Sequence, residues 1–259
     1  MAFLNLPDVK IHYELAGPEN APVVVFSNGL GTTLRMWEPQ LQALTKHFRV
    51  LRTDTRGHGQ SGVTPGPYNM EQLGWDVVHT LDALKIDRAH FCGLSLGGMI
   101  GMFLGVHAPE RFQKLVFCNT AAKIGTAESW NTRIQNVQTG GITAVSNTVF
   151  ERWLTADYRS AHPAESQRIL AMLESANTEG YIACCAALRD ADFRNDIAKI
   201  RVPCLAVAGT QDLTSPPAEL QFLVNAIPGA GYVELPAAHV SNIEAAEEFT
   251  KHVLQFLLA

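Results

Sequence analysis

The sequence predicts an α/β fold: a mostly parallel central sheet flanked by helices, with a helical cap inserted into it. Two observations carry this expectation. Strand-like and helix-like patterns alternate through the first 120 residues, as they must where parallel strands are joined by crossover helices. The run Val23-Val24-Val25-Phe26 is also continuously apolar, as a strand buried on both faces requires. From Ala121 to Ile200 the rhythm breaks, and only helical patterns remain. The expected division is therefore 1–120 and 201–259 for the core domain and 121–200 for the cap.

Taken in order, Phe3 to Leu15 reads as an antiparallel opening hairpin that stops at Gly17-Pro18. The Val23 strand follows, then a helix near Met36 to Leu44 and a strand from Phe48 to Asp54. Asn69 is placed to cap a helix from about Met70 to Leu84, whose Leu73, Val77, Leu81 and Leu84 share one face. Ala89 to Leu94 is a strand that passes directly into a helix ending near His107, and Leu115 to Asn119 is another strand. Within the cap the helical stretches are Trp130–Val137, Ile142–Leu154, Glu165–Ser175 and Tyr181–Leu188. Strands return at Val202–Ala208 and Tyr232–Leu235, and an amphipathic helix runs from Glu244 to Leu258.

Composition narrows the function classes. The 259 residues are 47% hydrophobic and 17% charged, with 20 basic and 25 acidic side chains and a net charge of −5. A globular domain with a sizeable core is expected. The negative field offers nothing to nucleic acid or to an anionic membrane surface, so an anionic substrate would need a local arginine. The N-terminal residues lack the basic start and apolar run of a signal peptide, and no stretch is long enough to span a bilayer; a cytoplasmic protein is the expectation. The five cysteines, Cys92, Cys118, Cys184, Cys185 and Cys204, have no metal-ligand spacing and read as small buried hydrophobes. No metal or cofactor is expected.

Gly93-Leu94-Ser95-Leu96-Gly97 matches G-x-S-x-G, with an apolar strand before it and a helix directly after. That context is the nucleophile elbow of the α/β-hydrolase fold, a tight turn in which small neighbours prevent clashes around an exposed serine. Serine needs a base, and in this fold the acid and the histidine follow it in that order. Asp212 lies where the Val202–Ala208 strand opens into a loop, and His239 lies in the loop after the last strand. The expected triad is Ser95, Asp212 and His239. Two N–H donors should stabilise the oxyanion: the amide of Leu96, next to the nucleophile, and that of Leu30 in Ser27-Asn28-Gly29-Leu30-Gly31. The segment Asp54-Thr55-Arg56-Gly57-His58-Gly59-Gln60-Ser61 reads as a structural glycine-rich turn, since His58 precedes the nucleophile in the chain.

These residues define a serine hydrolase and leave its substrate open. The chain resembles the 3-oxoadipate enol-lactonases over essentially its full length, through Phe91–Met99, Asn119–Thr126, Ala186–Asp190 and Ala237–Glu244. The resemblance implies hydrolysis of 3-oxoadipate enol-lactone to 3-oxoadipate, in bacterial breakdown of protocatechuate and catechol. Many related hydrolases carry histidine where Asn28 stands. The substrate so implied is a small carboxylated lactone. Arg133 in the cap is the candidate to grip its carboxylate, and Trp130, three residues earlier, the candidate to wall the pocket. A carboxylesterase, a carbon–carbon bond hydrolase and a non-catalytic ligand-binding protein of this fold remain as alternatives.

Overall fold

The computed structural model describes residues 2–259. The chain begins with the hairpin β1 (Ala2–Asn5) and β2 (Lys10–Ala16), then β3 (Val23–Ser27), a 3-10 turn (Leu34–Trp37), α1 (Glu38–Leu44) and β4 (Arg49–Thr53). Next come α2 (Met70–Ala83), β5 (Ala89–Leu94), α3 (Leu96–His107) and β6 (Phe112–Cys118). Five helices follow without a strand: α4 (Ala127–Gly140), α5 (Thr143–Trp153), α6 (Ala156–Ala161), α7 (Pro163–Glu174) and α8 (Thr178–Asp190). The chain ends with β7 (Cys204–Gly209), α9 (Pro217–Ala226), β8 (Gly231–Leu235), α10 (Ser241–Glu244) and α11 (Ala246–Leu258).

All eight strands form one sheet in the order β1-β2-β4-β3-β5-β6-β7-β8. β1 and β2 pair antiparallel, β2 runs antiparallel to β4, and every other pairing is parallel. Every residue of β3, β5 and β7 is buried, which accounts for their mostly apolar sequences. The strand order reverses between β3 and β5. The loops that leave their carboxyl ends therefore diverge and open a crevice, where ligands bind in open α/β sheets. Leu30 lies just beyond β3 and Ser95 just beyond β5.

Several expectations shift. The β6 strand starts at Phe112, three residues before the expected Leu115. Helices α6 and α9 were not expected; α9 opens on Pro216-Pro217, a proline start signal of the usual kind. The C-terminal helix is interrupted at Ala245. Asn69 caps α2 as expected, its side chain accepting the Gln72 N–H. All five cysteines are buried free thiols.

Candidate active site

Ser95 occupies the turn between β5 and α3 with φ 57 and ψ −111, a left-handed conformation that a non-glycine residue holds only when its surroundings enforce it. They do so here. The Ser95 N–H donates to the Cys118 carbonyl at 2.9 Å, and the Thr120 hydroxyl donates to the Ser95 carbonyl at 2.8 Å. The backbones crowd so closely that a Cβ on Gly93 would lie 2.1 Å from the Gly97 oxygen, and one on Gly97 2.2 Å from the Ser27 oxygen. The G-x-S-x-G pattern is thus a steric requirement. The Ser95 hydroxyl faces a cavity and makes no hydrogen bond among the described residues.

Asp212 and His239 come from the loops after β7 and β8. His239 Nδ1 lies 2.8 Å from Asp212 Oδ2, and both residues are buried. Because a carboxylate only accepts, Nδ1 carries the proton and Nε2 is left as the acceptor. The same Oδ2 takes the Asn119 side-chain amide at 3.1 Å, while Oδ1 takes the N–H groups of Thr214 and Ser215 at 2.8 and 2.9 Å. Burial opposes the charge on Asp212. The His239 ring and these donors outweigh it and hold the carboxyl below its ordinary range. Asn119 also donates to the Ala238 carbonyl and accepts from the Ser241 hydroxyl, tying the acid loop to the histidine loop.

The backbone N–H groups of Leu30 and Leu96 donate to no acceptor among the described residues. Asn28 braces the loop between β3 and the 3-10 turn. Its Nδ2 donates to the Thr53 carbonyl at 2.7 Å, its Oδ1 accepts the Trp37 indole N–H at 3.0 Å, and its carbonyl accepts the Gly97 N–H at 3.0 Å.

A cavity of ≈ 30 Å³ joins Ser95 and His239 to Leu30, Trp130, Arg133, Arg152 and Tyr181. No aspartate or glutamate lines it. The Arg133 guanidinium lies 4.9 Å from the Trp130 ring centroid, so the three-residue spacing does bring the two side chains together. Neither Arg133 nor Arg152 pairs with a carboxylate among the described residues. Sequence reasoning did not single out Arg152 and Tyr181; they arrive on α5 and α8, and no local pattern marks them. The Tyr181 hydroxyl is fully buried without a hydrogen-bond partner among the described residues. Burial pushes its phenol up, against the pull of Arg133, and keeps it a neutral donor. Larger hollows of ≈ 500 and ≈ 870 Å³ lie elsewhere and contain neither Ser95 nor His239. Among the described residues no cluster of three or more His, Cys, Asp or Glu side chains is arranged to hold a metal, and no helix is long and apolar enough to cross a membrane.

A family model described as the alpha/beta hydrolase fold matches residues 22–246. The 3-oxoadipate enol-lactonase 2 of Acinetobacter baylyi is 40% identical over 250 residues, 96% of this chain and 94% of that one. The chain belongs to the 3-oxoadipate enol-lactonase family of α/β-hydrolases. It is therefore an enzyme, a hydrolase. The 3-oxoadipate enol-lactonase 1 of the same organism is 39% identical over 95% of this chain and 92% of its own length. The crystal structure of the enol-lactonase from Burkholderia xenovorans LB400 superposes with a TM-score of 0.98 at 46% identity, covering 100% of both chains.

Proposed function

We propose that the protein hydrolyses 3-oxoadipate enol-lactone to 3-oxoadipate through an acyl-enzyme on Ser95, in the cytoplasmic breakdown of protocatechuate and catechol. The observation that carries the reading is the cavity itself. It sets a serine and a histidine whose partner is a buried carboxylate against two unpaired arginines, with no acid in the wall. Such a cavity repels cations and suits an ester that carries its own carboxylate. The names of the relatives described above support the same substrate.

In this reading Ser95 Oγ attacks the lactone carbonyl while His239 Nε2 takes its proton, and Asp212 stabilises the imidazolium that forms. The oxyanion rests on the N–H groups of Leu30 and Leu96; Leu96 opens α3, where the helix dipole also favours negative charge. The ring C–O bond breaks, and the enolate oxygen leaves with the proton from His239. This leaving group is less basic than an alkoxide, and its enol tautomerises to a ketone, which opposes reclosure. Water then attacks the acyl-enzyme as His239 takes its proton, and His239 passes that proton to Ser95 Oγ as the ester bond breaks and the product leaves. Arg133 and Arg152 hold the substrate carboxylate, Trp130 walls the pocket, and residues 121–200 serve as the cap that excludes water.

Loss of the enol-lactone, followed in the ultraviolet for wild type and Ser95→Ala, tests this. Fast turnover that falls on the order of 10⁶-fold in the variant is the expected result. Ser95-dependent cleavage of activated esters with no turnover of the lactone would keep the chemistry and sink the substrate.

A further inference from the structure

The Asp54–Ser61 segment, read from sequence as a structural turn, reaches the proposed oxyanion hole. His58 is buried in the middle of that segment, with 1% of its surface exposed. Its Nε2 accepts the backbone N–H of Gly31 at 2.9 Å. Its Nδ1 lies 3.3 Å from the Arg56 carbonyl, which can only accept, so Nδ1 carries the proton and the ring is the neutral Nδ1–H tautomer. Gly31 is the residue after Leu30, and its φ of +76 admits no ordinary side chain. A Cβ there would also lie 2.5 Å from Leu173 Cδ1 and 3.1 Å from the Tyr181 ring. The loop is thus pressed from the α7 and α8 side and held by hydrogen bonds on the other.

We infer that His58 is a positioning residue for hydrolysis: by accepting the Gly31 N–H it fixes the orientation of the Leu30 amide on which the oxyanion forms. The inference rests on the Ser95 reading given above. The peptide units that carry the two N–H groups meet at the Leu30 Cα, so holding the Gly31 N–H fixes one end of the short segment that presents the Leu30 donor. A preorganised donor is worth more than a mobile one because it costs no reorganisation when charge develops. The anchor is itself anchored. The Arg56 guanidinium is gripped by Asp76 at 2.7 and 2.8 Å and by Asp8 at 2.7 and 2.9 Å, which fixes the carbonyl that His58 uses. Cys184 of α8 packs its Sγ 4.0 Å from Nδ1. Burial holds the ring below its ordinary pKa, against the raising influence of the Arg56 carbonyl and the Asp54 charge, and so keeps Nε2 an acceptor. Protonation would place a second N–H against that of Gly31.

The test compares wild type, His58→Leu and His58→Gln on p-nitrophenyl acetate, with affinity for phenylboronic acid, which forms a tetrahedral serine adduct, as the second readout. Removing an oxyanion donor outright costs about 10²–10³ in kcat, so loss of its anchor should cost roughly 10–100-fold. His58→Leu is expected to lose that factor in both kcat and boronate affinity with KM within about twofold, and the glutamine oxygen to restore most of it. A folded His58→Leu protein with unchanged kcat and boronate affinity overturns the inference. If the leucine variant does not fold, nitrogen NMR of histidine-labelled wild type decides. The Nδ1–H tautomer at His58 is expected near neutral pH, and a protonated Nε2 overturns the idea. Ser95→Ala run on the same ester separates the two claims: turnover that survives it sinks the Ser95 reading, while the NMR measurement still reports on the Gly31 bond.

Discussion

Two buried histidine–aspartate pairs lie in this protein, nearly identical in geometry and different in everything around them. His239 and Asp212 approach to 2.8 Å through Nδ1 and Oδ2, and His12 and Asp54 to 2.7 Å through the same atoms. The His239 ring lines the cavity that holds Ser95. The His12 ring packs against Phe3, and its Nε2 is buried without a partner among the described residues. The serine beside that second pair, Ser61, is already used: its Oγ accepts the His12 N–H and donates to the Asp54 carbonyl. Asp54 also accepts the N–H groups of Leu34 and Gln60. The second pair is a knot that ties β2, β4 and the loop after β3 together. A short His–Asp contact is therefore no sign of catalysis by itself. A free serine in the cavity that the histidine lines makes the difference.

Breaking each pair should separate the two roles. Asp212→Asn can no longer enforce the Nδ1–H tautomer, and kcat is expected to fall about 10⁴-fold. His12→Leu is expected to leave kcat within about threefold and to lower stability by about 1–3 kcal/mol, the range for depriving a buried acceptor of its partner. Steady-state kinetics and urea unfolding on both variants check this. A large kinetic loss in His12→Leu at unchanged stability would erase the distinction.

The hollows beside the pairs differ in the same sense. The one beside His12 is lined by Arg35 and Arg168 but also by Glu14. Arg168 pairs with Glu165 at 2.8 Å and with Glu38 at 3.6 Å, and Arg35 lies 3.9 Å from Glu38. The cavity beside His239 holds arginines with no such neighbours. Arg133→Met and Arg152→Met should each raise KM for the carboxylated lactone roughly 10–100-fold, the worth of one charge-assisted contact, with no matching change for a neutral ester. Arg168→Met should change neither. Equal losses on charged and neutral substrates would mean that these arginines shape the cavity and leave the carboxylate to other groups.

The contrast also explains which parts were legible in the sequence. Gly93, Ser95 and Gly97 are readable because the turn tolerates nothing else, and Asp212 and His239 because chain order and strand ends restrict where they can stand. The parallel strands announce themselves by apolar runs that burial on both faces demands. Arg152 and Tyr181 carry no such mark. They reach the cavity because α5 and α8 pack over it, and that packing follows from the shapes of many side chains. Arg133 was accessible to reasoning because the resemblance implies a carboxylated substrate and Arg133 lies in the cap, and its three-residue spacing then pointed to Trp130. His58 was read as structural because motif order says where a base belongs and is silent about which backbone amides a turn will hold.

A fourth buried histidine, beside His239, His12 and His58, lacks a carboxylate partner and should give the smallest effect. His90 lies on β5 against Phe48, its Nδ1 unpartnered among the described residues. Burial first, then the charges of Lys114 and Arg88, push it down to about 4 from an ordinary value of 6.5. Between those two values the unfolded chain binds a proton that the native ring refuses. Stability is therefore full above about pH 6.5, falls as the pH drops below it, and stops falling on this account near pH 4, where the native ring accepts the proton. His58, also lowered by burial, adds to the slope in the same direction. His90→Phe keeps the aromatic packing and removes the titration. Urea midpoints measured from pH 7 to pH 4 should fall less steeply in this variant than in wild type, with a residual slope left by His58. Parallel curves would mean that His90 finds a proton acceptor in solution, which would make it a third paired histidine.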